Sequence, residues 1–215
     1  MPPRNSKSIK QSPFSELITA KATIMSSTRR AVTYFEQTGK ANTSALLRIV
    51  KSYVEKERVK DVVVASTTGQ TGAQASKILK GCNVVVVGHS YGFKELGKNE
   101  MEKQYEERIL ADKAKIFIGT HALSSAERAV RKEFGTIQPL ELIANVLRRM
   151  GEGTKVCVEV TLMAADAGLI PVDRDIIAIG GTGRGADTAL RIYPANSSKF
   201  FDLKIREIIA KPREF

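Results

Sequence analysis

Tryptophan is absent from this chain of 215 residues, and histidine and cysteine occur only twice each. Cys82 and Cys157 stand far apart and lack metal-ligand companions, which argues for buried thiols in a reducing compartment over a disulfide or a zinc site. His89 and His121 alone leave metal chemistry few ligands. No apolar run approaches the roughly 20 residues that span a bilayer, so no membrane role is expected. Acidic residues are scarce at one end only. Residues 1–30 hold Arg4, Lys7, Lys10, Lys21, Arg29 and Arg30 against Glu16, a local charge of +5 within a formal net charge of +11. The remaining excess is spread over mixed-sign segments. No dense basic stripe is interleaved with aromatics, so specific nucleic-acid binding is not expected either.

What is present is a globular composition, 42% hydrophobic and 27% charged, in a length sufficient for one sizeable core. Residues 1–29 are rich in Ser, Thr, Lys and Arg and cannot build a core, so they read as a disordered basic tail, with the folded domain over 30–215. The tail also resembles a mitochondrial presequence, which makes mitochondrial localisation the alternative to a cytoplasmic one. Met25 is an alternative start.

The chain then alternates strand and helix. Expected strands are 31–36, 62–66, 83–88, 115–119, 175–179 and 188–193, the second and third being valine runs typical of strands buried on both faces. Helices are expected over 42–56 with Asn42 or Thr43 as cap, over 73–80, 100–111, 124–133 and 139–150. The run 154–167 is ambiguous. Val156 to Val160 alternates like a strand, but Val156, Val160, Met163 and Ala167 form one helical stripe, Thr154 can cap its start and Gly168 suits the left-handed position after its end. It is read as a helix. Residues 200–212 add a short helix and an extended segment. Repeated β-α units imply a parallel sheet covered on both faces, with ligands at the carboxyl ends of the strands.

Two loops at such ends carry donors. Ser66-Thr67-Thr68-Gly69-Gln70-Thr71-Gly72 leads from a strand into a helix, where unsatisfied N–H groups, the helix dipole and the hydroxyls together suit an anion such as a phosphate. Gly180-Gly181-Thr182-Gly183-Arg184-Gly185-Ala186-Asp187-Thr188 follows the strand 175–179, and its Arg184 can pair with phosphate. His89 and His121 also follow strands and can donate to a ligand or move a proton, while Tyr91 and Phe93 can stack on a planar ring. Glu159 and Asp166 lie seven apart on one helical face, and Cys157 reads as core. None of this is a known catalytic constellation.

Ser66 to Thr71 between strand and helix, together with Pro171 to Thr182 and the following glycine loop, resembles the C-terminal α/β domain of pyruvate kinase. Tyr34 to Thr43, Lys155 to Gly168 and Gly185 to Ala189 are similar to stand-alone, mostly archaeal proteins built on that domain. The resemblance, over roughly 31–212, implies a three-layer α/β/α sandwich with a mostly parallel sheet. It implies a phosphate loop of Ser66, Thr67, Thr68, Gly69 and Thr71, with Gly181, Thr182, Gly183, Arg184, Gly185 and Asp187 closing over the ligand, and FMN as cofactor. Thr67 and Gln70 stand where pyruvate kinase loops often place basic residues, so a monophosphate fits better than a bisphosphate sugar. The catalytic barrel of pyruvate kinase is missing from the resemblance, so activity on phosphoenolpyruvate is not implied. The expected function is binding of a phosphorylated, nucleotide-like small molecule. The alternatives are an FMN-dependent oxidoreductase, tuned by His89, His121 or Tyr91, and a sugar-phosphate-sensing effector domain. Edge strands and exposed helices leave homo-oligomerisation open.

Overall fold

The computed structural model describes residues 27–215, and the basic segment expected over 1–29 lies, apart from its last three residues, outside the described residues. Residues 31–215 form one compact unit. Seven strands make one sheet: β1 (Thr33–Phe35), β2 (Asp61–Ala65), β3 (Asn83–Gly88), β4 (Lys115–Ile118), β5 (Ile176–Gly180), β6 (Thr188–Tyr193) and β7 (Lys204–Pro212), in the order β1-β7-β6-β5-β2-β3-β4. Only β6 runs against its neighbours; β1–β7, β5–β2, β2–β3 and β3–β4 are parallel.

The register explains the valine runs. Val63 lies between Val85 and Ala178, and Val64 between Val86 and Ile179, so alternate residues feed two cores. Val62, Val64, Val84, Val86, Ile177 and Ile179 face α1 (Thr43–Glu57), α2 (Gln70–Ile78) and α3 (Lys103–Ala111), meeting Leu46, Leu47, Val50, Ala75 and Ile109. Val63, Val85, Val87, Ile176 and Ala178 face α6 (Glu152–Asp166) through Cys157, Val160, Met163 and Ala164. Neither face of the central strands meets water, which is why no polar alternation is written into them.

Helix α6 settles the ambiguous run. Its buried residues include Thr154, Lys155, Cys157, Val158, Glu159, Val160, Leu162 and Met163, because it is clamped between the sheet and α5 (Pro139–Arg148), where Val158 and Leu162 meet Ala144. A helix enclosed on both sides is apolar nearly all round, which blurs its period. Gly168, at φ +66°, closes it as expected: its N–H bonds the Ala165 carbonyl, and that of Leu169 bonds Ala164. Its start departs from expectation. Gly151 is the N-cap, while Thr154 sits inside the first turn and donates its hydroxyl to the Met150 carbonyl at 3.0 Å. Asn42 likewise precedes α1 without a side-chain cap, donating instead to the Gln37 carbonyl. α3 begins at Lys103, and a 3-10 helix over Ser197–Asp202 precedes β7.

From β2 the chain moves outward through β3 to β4, and from β5 outward through β6 to β7. The connections therefore diverge between β2 and β5, and a crevice opens beyond the carboxyl ends of these strands. Helices α4 (Ser125–Phe134) and α5 flank it.

Candidate functional site

A cavity of about 740 Å³ fills that crevice. Its floor is the turn from β2 to α2. Ser66 is committed to the fold, its N–H donating to the Val87 carbonyl at 2.9 Å and its hydroxyl accepting the Gly72 N–H at 3.1 Å. Thr67, Thr68, Gln70 and Thr71 line the cavity beyond it. Among the described residues, the N–H groups of Thr68, Gln70 and Thr71 have no acceptor, as the first turn of a helix leaves them. Gly69 lies outside the lining. It takes φ +90°, and a Cβ there would come within 2.7 Å of Tyr105 Cβ on α3, so it is required for the approach of α3 to the turn.

The loop after β3 supplies His89. Its Nδ1 is 2.8 Å from Glu100 Oε2 and its Nε2 3.4 Å from Thr67 Oγ1. A carboxylate only accepts, so Nδ1 carries the proton and Nε2 faces the hydroxyl with a lone pair. Burial pushes His89 below the ordinary histidine range, against the opposing pull of Glu100. His121, after β4, lies 5.2 Å from His89 between ring centroids, and the Phe93 ring stacks on His121 at 4.9 Å and 18°. His121 Nε2 is buried with no hydrogen-bond partner among the described residues. Tyr91, expected here, is 66% exposed and outside the lining; Phe93 is the aromatic that reaches the cavity.

The glycine loop after β5 is held from behind. Asp187 is fully buried; its carboxylate accepts the N–H groups of Gly39 at 2.8 Å and Thr182 at 3.1 Å and the Thr188 hydroxyl at 2.7 Å. Thr43 Oγ1 accepts the Ala186 N–H at 2.9 Å, tying α1 to the same loop. Thus Asp187 and Thr182 shape the loop from outside the cavity, while Gly181, Gly183, Arg184 and Gly185 line it. Gly185, at φ +82°, has Lys40 Cα 2.5 Å from where a Cβ would sit. Arg184 reaches Glu100 at 3.7 Å.

The far wall comes from α4, α5 and α6 and holds charged groups that the sequence reading left outside the site. Glu159 accepts the Leu123 N–H at 3.1 Å and pairs with Lys155, with His121 Nδ1 at 3.6 Å. Burial alone would raise this carboxyl, but the contacts from His121 and Lys155 outweigh it and hold the pKa at about 2. The signal was legible as a Lys and a Glu four apart in an otherwise apolar helix. Arg131 pairs with Glu141 at 3.0 Å and Arg148 with Glu152, while the Arg128 guanidinium sits 4.8 Å over the Phe93 ring. Among the described residues, Lys40 and Arg128 are the lining cations without an ion pair. Asp166, on the same helix as Glu159, is outside the site and accepts the Ser197 N–H instead. Cys157 is core, its thiol pushed well up by burial.

Among the described residues no cluster of His, Cys, Asp and Glu is arranged to hold a metal, and no helix is long and apolar enough to cross a membrane. Residues 44–192 match the profile of a protein family described as pyruvate kinase, alpha/beta domain.

Proposed function

From the premise that the chain belongs to the pyruvate kinase alpha/beta domain family, we propose that its cavity binds a single-phosphate ligand with a planar ring, FMN being the candidate. The observation that carries this reading is the row of acceptor-free N–H groups at Thr68, Gln70 and Thr71, which opens into the same cavity as the Phe93–His121 stack. A phosphate accepts from helix-start N–H groups and hydroxyls and gains from the helix dipole. The ring occupies the cavity beside Phe93 and the His121 ring it stacks on. A volume of about 740 Å³ falls within the range of small-molecule sites. FMN, when bound, supplies a redox-active ring; the residues named here hold its phosphate and flank that ring.

The charge balance supports the same reading. Four of the six lining cations already face carboxylates, leaving Lys40 and Arg128, and Glu102 and Glu127 also line the cavity, a small positive balance that disfavours a bisphosphate. The test is an absorbance spectrum of the purified chain, then titration with FMN, riboflavin and fructose bisphosphate followed by flavin fluorescence and thermal shift. FMN is expected to bind at least ~10-fold more tightly than riboflavin, the difference of one or more charge-assisted hydrogen bonds. Thr68→Glu, which places a carboxylate beside the helix start, is expected to remove that preference. Equal affinity for FMN and riboflavin, or unchanged FMN affinity in Thr68→Glu, refutes the phosphate site.

A further inference from the structure

We propose that Thr67, His89 and Glu100 form a hydroxyl–imidazole–carboxylate relay that gives the cavity hydrolase activity toward neutral carboxylic esters, with Thr67 Oγ1 as the nucleophile. This goes beyond ligand binding and does not depend on it, although both use the start of α2.

The relay is oriented throughout. Glu100 Oε2 accepts the His89 Nδ1 proton at 2.8 Å, leaving Nε2 to accept from the Thr67 hydroxyl at 3.4 Å. That contact is long, as nucleophile–base contacts often are before substrate binds. The loop between His89 and Glu100 is braced: Asn99 Nδ2 donates to the His89 carbonyl at 2.6 Å, and Asn99 Oδ1 accepts the Met101 N–H at 2.7 Å. A third group that holds the base, itself held by the fold, distinguishes a relay from a chance contact of two polar side chains.

Thr67 is also placed as a nucleophile must be. It sits two residues beyond β2 on the sharp turn into α2, with its side chain at the cavity and the acceptor-free N–H groups of Thr68, Gln70 and Thr71 following it. The same local geometry, strand to nucleophile to helix start, supplies oxyanion donors to acyl-transfer enzymes. The substrate class follows from the walls. Of the cations near the relay, Arg184 faces Glu100, Lys155 faces Glu159 and Arg128 lies over the Phe93 ring, which gives a highly charged acyl group little to pair with. Ala65, Val87, Val160 and Met163 offer apolar surface to an acyl chain.

In the reaction, Thr67 Oγ1 forms a bond to the ester carbonyl carbon while His89 Nε2 takes the hydroxyl proton. The ester C–O bond breaks, and the departing alkoxide takes that proton from Nε2 and leaves as an alcohol. Water then adds to the acyl carbon, giving a proton to Nε2. The bond to Thr67 breaks, its oxygen recovers the proton, and the carboxylic acid leaves. Thr67 and His89 are the catalytic residues. Glu100 is a positioning residue that fixes the imidazole tautomer.

The experiment uses the full chain with p-nitrophenyl acetate, reading the nitrophenolate burst and the acetylated peptide by mass spectrometry. The expected result is a burst stoichiometric with protein and acetyl on Thr67. Thr67→Val should abolish the burst, Thr67→Ser should retain it, and His89→Asn should lower the acylation rate by ~10²-fold or more. The rate rises with pH as His89 loses its proton. Glu100→Gln removes the group that favours the protonated ring, so the acidic limb moves to lower pH while the plateau falls, a shift that mere loosening of the loop does not produce. Absence of a burst in the native chain, acetyl on another residue, or an unchanged burst in Thr67→Val overturns the proposal. FMN titration of the native chain is read separately: a burst without FMN binding refutes only the ligand reading, and FMN binding without a burst refutes only this one.

Discussion

Acid should weaken this protein through one carboxylate above the others. Glu159 is 4% exposed, and its pKa, near 4.5 for an unperturbed glutamate, is held at about 2 in the folded chain. A depressed folded value means that the carboxylate contributes stability above the unfolded pKa and loses it as pH falls through the folded one. A difference of about 2.5 units corresponds to about 3 kcal/mol at neutral pH, of which about 2 kcal/mol is gone by pH 3. The assay is urea unfolding by circular dichroism at half-unit steps from pH 7 to pH 2.5, on the native chain and on Glu159→Gln. The variant leaves the Lys155 ammonium, 7% exposed, without its partner, so at pH 7 it should be less stable by about 3 to 5 kcal/mol. Its stability should also fall less steeply between pH 4.5 and pH 2.5. Glu159→Gln combined with Lys155→Met should recover much of the loss, because no unpaired charge stays buried. A native curve that runs parallel to the Glu159→Gln curve throughout this window would refute the assignment.

Other perturbations test the elements that shape the cavity. In Gly72→Ala a Cβ meets Val86 Cγ1 at 2.5 Å and Ile109 Cδ1 at 3.1 Å. Crowding costs about 1 to 3 kcal/mol and helix propensity returns at most about 1, so the urea midpoint should fall, and Val86→Ala in the same chain should restore part of it. Asp187→Ala strands the N–H groups of Gly39 and Thr182 and the Thr188 hydroxyl. At about 1 kcal/mol or more for each, the loss should reach about 3 kcal/mol, with faster hydrogen exchange at Gly39 and Thr182 as the local signature. Leu79→Ala, in the core at the C-terminal end of α2, should cost about 2 to 5 kcal/mol in a thermal or urea melt.

Much of the architecture was written locally. The valine run of β3 is bounded by Asn83 and Gly88, because β-branched residues buried on both faces favour the extended chain, and Thr188 to Tyr193 forms β6 between glycine-loop and proline punctuation. Gly168 ended α6 where a left-handed residue was needed. Helix starts were less legible. Gly151 with φ +109° and a packed loop replaced Thr154 as cap, since a threonine hydroxyl bonds a preceding carbonyl as readily as a following N–H.

The sequence by itself determined the alternation of strand and helix, the buried central strands and the presence of two donor-rich loops, since these follow from residue type, period and turn chemistry within a few positions. Tertiary structure decided which distant groups share one cavity. His89 and His121 come within 5.2 Å only because β3 and β4 pair in parallel, Asp187 fixes the glycine loop from behind by accepting from distant Gly39 as well as from Thr182 and Thr188, and the Lys155–Glu159 pair reaches the wall only because α6 packs across the end of β2. Such meetings depend on sheet order and register, which are set by the summed burial of the whole chain and leave no mark in any short stretch of it.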